Sequence, residues 1–284
     1  MKKNFVILAE ARTGSSMLCT LLNRQKDIWC YGEILKNGNT VADLKIADEI
    51  EMRLVRKNRT EINSNMLEFL GPDRMQWRER RDKHYDQFIN VVSETTSAST
   101  FGYKIFNKHV SFLPGYYNFL KESNTRVICL SRDNLLLQYI SLMTVRAKPE
   151  IDASKFSSLT VKKGKQPELL AINIDYDLFT KFKKKMQKDF IQKLLSIARF
   201  NLPTIFLTYE KLTSDSYMEC CKDIFRHLEI DFDTFIDEKH DDGSIAGHIK
   251  LNVYKMQEKI LNYNDFKAAA EKNNDSQTIE WLQG

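Results

Sequence analysis

The stretch Glu10-Ala11-Arg12-Thr13-Gly14-Ser15-Ser16-Met17-Leu18 follows directly on an apolar run, Phe5 to Ala9. A small-residue turn that opens into a helix aims several backbone N–H groups at one point, and the helix dipole adds to their field. Ser15 and Ser16 contribute hydroxyls, and Arg12 contributes a permanent positive charge. Such a turn can cradle a phosphate or a sulfate. It departs from the nucleoside-triphosphatase pattern G-x-x-x-x-G-K-[ST], whose lysine is missing. The competing reading is an ordinary N-capped helix after a strand.

A second candidate lies far along the chain. Ser131-Arg132-Asp133-Asn134 follows the apolar run Thr125 to Leu130, and Ser141 stands nine residues beyond Arg132. An arginine at a strand's carboxyl end and a serine two to three turns along the next helix could grip one phosphate from two sides. Taken alone, an arginine in this place is more often a structural ion pair. Lys104 interrupts the apolar run Phe101 to Phe106. A buried lysine without a partner is costly, so it points to the site end of the strand or pairs with an acid such as Glu210. His109 just beyond is a second candidate base, though a lone histidine there is more often a cap.

The elements that would position these residues are legible. Phe5 to Ala9, Ile28 to Tyr31, Phe101 to Phe106, Thr125 to Leu130 and Pro203 to Thr208 read as strands. Helical patterns cover about 16–24, 134–146, 176–200 and 216–228, and two short helices close the chain. The alternation predicts an α/β fold: three layers, with a mostly parallel five-stranded central sheet flanked by helices and a P-loop-like phosphate-binding turn. Ligands of such sheets bind beyond the carboxyl ends of the strands, where both candidate loops fall. One domain over 1–284 is expected, with a helical acceptor-side insertion at about 37–95 and a loop or lid at about 150–175.

At this level the residues resemble a known family. RTGSSML resembles the 5′-phosphosulfate loop of sulfotransferases, and SRDNLLLQYIS resembles their 3′-phosphate motif. The spacing looks most like the bacterial carbohydrate sulfotransferases of the trehalose and nodulation-factor type. Tyr31-Gly32-Glu33, Phe101-Gly102-Tyr103-Lys104, Thr208-Tyr209-Glu210-Lys211-Leu212 and Ile260-Leu261-Asn262-Tyr263 extend the likeness over most of the chain. It weakens at 37–95 and 150–175.

The resemblance implies a donor, 3′-phosphoadenosine 5′-phosphosulfate, and roles for particular residues. Arg12 would contact the phosphosulfate, with Thr13, Gly14, Ser15, Ser16 and Met17 around the 5′-phosphate. Arg132 and Ser141 would hold the 3′-phosphate, which separates this donor from ATP. Glu33 matches the family's general base. If Glu33 is ionised beside Arg12, that cation should keep it deprotonated, and of the two readings of Lys104 the active-site end is favoured. Lys250, or His248, could reach the nucleotide from a stretch where the likeness is loose. In-line sulfuryl transfer needs one base for the acceptor's proton and cations for the leaving oxygen, so no metal is required. The acceptor would be a small polar molecule carrying a hydroxyl or an amine.

Composition agrees and narrows the alternatives. The net charge of +5 suits an anionic ligand. The basic residues are scattered rather than interleaved with aromatics, against nucleic-acid binding; the run Lys181 to Lys188 reads as a solvated helix face. Tyr209-Glu210 reads as structural, and Trp29, Trp77 and Trp281 as core or acceptor-pocket residues. The five cysteines show no metal-ligand spacing and fit a reducing compartment. The short apolar run near Met1 is no signal peptide, and no stretch spans a membrane, so a cytoplasmic protein is expected. A homodimer stays open. Two rival functions also stay open. One is an ATP-dependent small-molecule kinase with a variant phosphate loop, for which Asp133 is the nearest magnesium ligand. The other is a nucleotide-binding protein without catalysis.

Overall fold

The computed structural model describes residues 2–35, 82–94, 96–147, 171–237 and 255–283. Five strands, β1 (Lys3–Ala9), β2 (Ile28–Glu33), β3 (Thr100–Phe106), β4 (Arg126–Ser131) and β5 (Thr204–Thr208), form one sheet in the order β2-β3-β1-β4-β5. All neighbouring pairs are parallel. The fold is therefore α/β with a five-stranded parallel sheet, as the alternation of patterns predicts.

β1 takes the centre because it is apolar on both faces, as a strand covered from both sides must be. Phe5, Ile7 and Ala9 turn to one side, where helices α1 (Ser15–Asn23) and α8 (Tyr217–Leu228) pack over them. Val6 and Leu8 turn to the other. There they meet α2 (Tyr85–Glu94), α4 (Tyr116–Glu122) and the C-terminal part of α6 (Tyr176–Phe200). Between β3 and α4 lies the short α3 (Asn107–Val110), and α5 (Leu135–Ala147) follows β4. A third apolar cluster joins α5, the start of α6 and three C-terminal helices: α9 (Met256–Lys259), α10 (Tyr263–Lys272) and α11 (Ser276–Gln283). Two short closing helices were expected; there are three. The remaining short helix, α7 (Tyr209–Leu212), sits at the end of β5.

Gly102 of β3 is fixed by its neighbour. A Cβ there would lie 2.1 Å from the Phe5 ring on the adjacent strand, so the ring occupies the space of a side chain. The basic run in α6 is a solvated face in part only. Lys181, Lys184, Lys185 and Lys188 are exposed, whereas Lys183 pairs with Asp275 at 2.6 Å and lies over the Trp281 ring. Trp29 and Trp281 pack against apolar clusters. Trp77, His248, Lys250 and nearly all of the expected insertion and lid lie outside the described residues. All five cysteines are buried and unbridged. No described helix is long and apolar enough to cross a membrane.

Candidate functional site

The first loop is shaped by two left-handed residues, Arg12 (φ 67°) and Gly14 (φ 81°). Arginine pays a steric penalty there, so other contacts must hold it. They do. Arg132 donates from Nη1 to the Arg12 carbonyl at 3.2 Å, and Gln138 donates from Nε2 to the Ala11 carbonyl at 2.7 Å. The Thr13 hydroxyl closes the turn on the Glu10 carbonyl at 2.8 Å, so only its amide is left to face a ligand. Met17 buries its side chain in the core; it too can offer no more than its amide. With Ser15, Ser16 and Met17 in the first turn of α1, those amides lack helical acceptors.

Gly14 is required for a second reason. A Cβ there would come within 2.6 Å of the Tyr209 ring. The Arg132 guanidinium lies over the same ring, 4.5 Å from its centroid. Tyr209 thus stands between the two loops, a more specific place than the structural role expected for it. Its position directly after β5, at a strand's carboxyl end, is the signal that could have revealed it.

The second loop meets the first at Arg12. Ser141, on α5, accepts from Arg12 Nε at 2.9 Å, so the serine expected to work with Arg132 touches its partner arginine instead. Arg132 is 7% exposed. Its Nε lies 3.8 Å from Glu210, whose carboxylate accepts the Asp133 and Asn134 amides at 3.0 and 3.3 Å. The buried Nε and Nη2 of Arg132 find no hydrogen-bond acceptor among the described residues. Burial pushes the pKa of both guanidinium groups down, and the charge of Arg132 adds to the effect on Arg12. Two close cations with spare donors are an electrostatic demand for an anion.

The catalytic candidates converge on the flank of α1. Strand β2 runs from Ile28 to Glu33, ending at Gly32-Glu33 as expected. Its register with β3 slips between Tyr31 and Glu33, which sets Glu33 opposite Lys104. Lys104 Nζ lies 3.3 Å from Glu33 Oε1 and donates to Ser16 Oγ at 3.1 Å. The expectation that Arg12 neighbours Glu33 is corrected here: the cation at Glu33 is Lys104, because the bulge aligns the two in the sheet. The acid offered for Lys104 is corrected likewise, since Glu210 faces Arg132. His109 is buried and stacks on Phe106 at 5.7 Å. Asp133, whose pKa burial raises, hydrogen-bonds Thr208 and is repelled by Glu210. Among the described residues no three of His, Cys, Asp and Glu gather as a metal site would.

One pair escaped the sequence. Glu10, at the end of β1, meets Lys193 of α6 at 3.6 Å, and Lys193 is 2% exposed. Burial raises the Glu10 pKa against the opposing pull of Lys193. Lys193 lies in an amphipathic helix rich in exposed lysines, so nothing local marks it as the buried one.

No family model and no curated protein sequence matches this chain. Among solved structures, it is similar to a sulfotransferase from Alicyclobacillus acidocaldarius, with 11% identity and a TM-score of 0.47 over 100% of this chain and 95% of that one. It is also similar to the sulfotransferase domain from the curacin biosynthetic pathway, with 13% identity and a TM-score of 0.44 over 87% of this chain and 82% of that one. Neither likeness, at these values, bears on the chemistry.

Proposed function

We propose that this chain is a sulfotransferase that binds 3′-phosphoadenosine 5′-phosphosulfate and sulfates a hydroxyl or amine of a small polar acceptor. The observation that carries the reading is the junction at Arg12. Its guanidinium reaches Ser141 and its carbonyl receives Arg132, so two anion-type loops far apart in sequence form one cluster. A ligand with two separate phosphate groups suits such a cluster better than a single anion. The donors of Arg132 that lack acceptors, and the narrow seat beside Gly14, fit such a ligand.

Arg132 and Ser141 would hold the 3′-phosphate; Arg12 and the amides of Thr13, Gly14, Ser15, Ser16 and Met17 would surround the 5′-phosphate. When bound, the donor supplies an activated sulfuryl group, whose bond to the phosphate oxygen breaks as acceptor oxygen or nitrogen bonds to sulfur. Glu33 takes the acceptor's proton. Lys104 orients Glu33 and, through Ser16, ties it to the phosphate loop. Arg12 and Lys104 offer positive charge where the leaving oxygen becomes negative, which removes the need for a metal ion. Buried, unbridged cysteines suit a reducing, cytoplasmic setting.

The test is calorimetric titration of wild type and Arg132→Ala with 3′,5′-bisphosphoadenosine without metal, and with ATP without and with magnesium. The expected result is tight bisphosphate binding that the substitution abolishes. A preference for ATP with magnesium would replace this reading with the kinase, and binding of neither nucleotide would remove it.

A further inference from the structure

Gln138 lies in the first turns of α5 and is 2% exposed. Its Nε2 donates at 2.7 Å to the carbonyl of Ala11, which belongs to the other loop. A carbonyl only accepts, so the side-chain amide of Gln138 has one orientation. The platform under it is fixed. Asn134 Oδ1 caps α5 by accepting the Leu137 amide at 2.9 Å, and Leu136, Tyr139 and Ile140 are buried in the third apolar cluster.

Arg12, next after Ala11, is left-handed at φ 67°, a conformation that a residue with a Cβ keeps only when its surroundings impose it. Three successive carbonyls are held there. Thr13 Oγ1 donates to that of Glu10, Gln138 to that of Ala11, and Arg132 Nη1 to that of Arg12. The first tie is made inside the loop; the other two come from the segment of the second. In a planar trans peptide the N–H points opposite to the C=O. Drawing the Ala11 and Arg12 carbonyls toward these donors therefore turns the Arg12 and Thr13 amides the other way. Successive N–H groups around a left-handed residue make a concave seat for an anion. Arg132 serves both the loop and the ligand contact proposed for it. Gln138 is buried and holds the loop.

We infer that Gln138 is a positioning residue for the reaction: from the helix of the 3′-phosphate motif it sets the backbone of the 5′-phosphosulfate loop, and with it the amide and guanidinium of Arg12. This rests on the function proposed above. A substitution on the 3′-phosphate helix is therefore felt at the 5′-phosphate.

The test uses Gln138→Met, which keeps the length of the side chain but has no N–H to donate. The probes are 3′-AMP and 5′-AMP, one for each end of the nucleotide, each measured by displacement of 3′,5′-bisphosphoadenosine. Gln138→Met should weaken 5′-AMP roughly 2- to 10-fold, as for one lost hydrogen bond, and leave 3′-AMP unchanged. Formation of bisphosphoadenosine from the phosphosulfate donor, with a panel of hydroxyl and amine acceptors, should fall by roughly 10- to 100-fold as Arg12 shifts from the leaving oxygen. Gln138→Leu, of another shape, should show the same split. The ratio of the two affinities is unaffected by the fraction of protein unfolded, so a general loss of stability does not imitate the result. Equal losses for both nucleotides, a loss confined to 3′-AMP, or an unchanged 5′-AMP affinity would each overturn the role of Gln138 and leave the donor assignment standing. A wild type that does not bind 3′,5′-bisphosphoadenosine would overturn the donor assignment itself, and this role with it.

Discussion

Glu33 and Lys104 face each other at 3.3 Å across a slip in the pairing of β2 with β3. In an unbroken ladder Gly32 would stand opposite Lys104, and the carboxylate would project to the other face of the sheet. The bulge therefore makes the pair, and Lys104 passes the connection on to Ser16 at the start of α1.

From this pair comes a separation of chemistry from binding. Glu33→Gln keeps an oxygen for Lys104 but cannot accept a proton. It should lower kcat by roughly 10²- to 10⁴-fold and leave bisphosphoadenosine affinity nearly unchanged. Bisphosphoadenosine formed from the phosphosulfate donor, with a panel of hydroxyl and amine acceptors, measures the first; calorimetry measures the second. A variant that turns over at the wild-type rate would remove Glu33 from the role of base.

Gly14 and Tyr209 give a prediction about the loop. An added methyl at Gly14 meets the Tyr209 ring at 2.6 Å and a backbone at φ 81°. Gly14→Ala should destabilise the protein by about 1–3 kcal/mol and weaken anion binding. Adding Tyr209→Leu should recover the steric part but not the backbone part. Urea denaturation of the single and double variants separates the two, and full recovery in the double would show that the left-handed backbone costs nothing.

The sheet was legible because its strands carry unbroken apolar runs, and β1, apolar on both faces, reads as its centre. Both phosphate-type loops were legible because they follow strands directly. What escaped depends on register and on contacts distant in sequence. The end of β2 at Gly32-Glu33 was legible, but its slip in register against β3 has no residue signature here beyond Gly32. The expectation of Arg12 beside Glu33 failed for that reason. Tyr209 was undervalued because Gly14 and Arg132, which it touches, lie on other strands' loops. Lys193 and Lys259 look like surface lysines until the fold encloses them.

The Glu10–Lys193 pair supports the root of the first loop, because the Glu10 carbonyl also receives the Thr13 hydroxyl. Removing one partner strands a buried charge. Lys193→Met should cost about 3–5 kcal/mol, and Glu10→Gln added to it should recover most of that loss. The coupling energy from a double-mutant cycle in urea checks this. Strict additivity would mean that the two side chains do not sense each other.

Alkaline stability provides the last prediction. Lys259, ordinarily near 10.5, is held down to about 8 in the folded chain, chiefly by burial and then by Arg132. Between these values the unfolded chain holds a proton that the native one lacks, so stability rises with pH. Cys221 and Tyr117 act oppositely: burial raises both to about 12 from 9.0 and 10.0, and burial raises Tyr103 as well. Above pH 9 the native chain keeps protons that the unfolded one loses, and stability falls. Measured against Lys259→Met, which shares the buried thiols and tyrosines, the unliganded protein should therefore gain up to about 1 kcal/mol from pH 8 to 9, while both fall as these groups titrate in the unfolded chain. Lys259→Met should show only the fall. Urea midpoints from pH 7 to 10.5 test this, and parallel curves for variant and wild type would mean that Lys259 is not buried against Arg132.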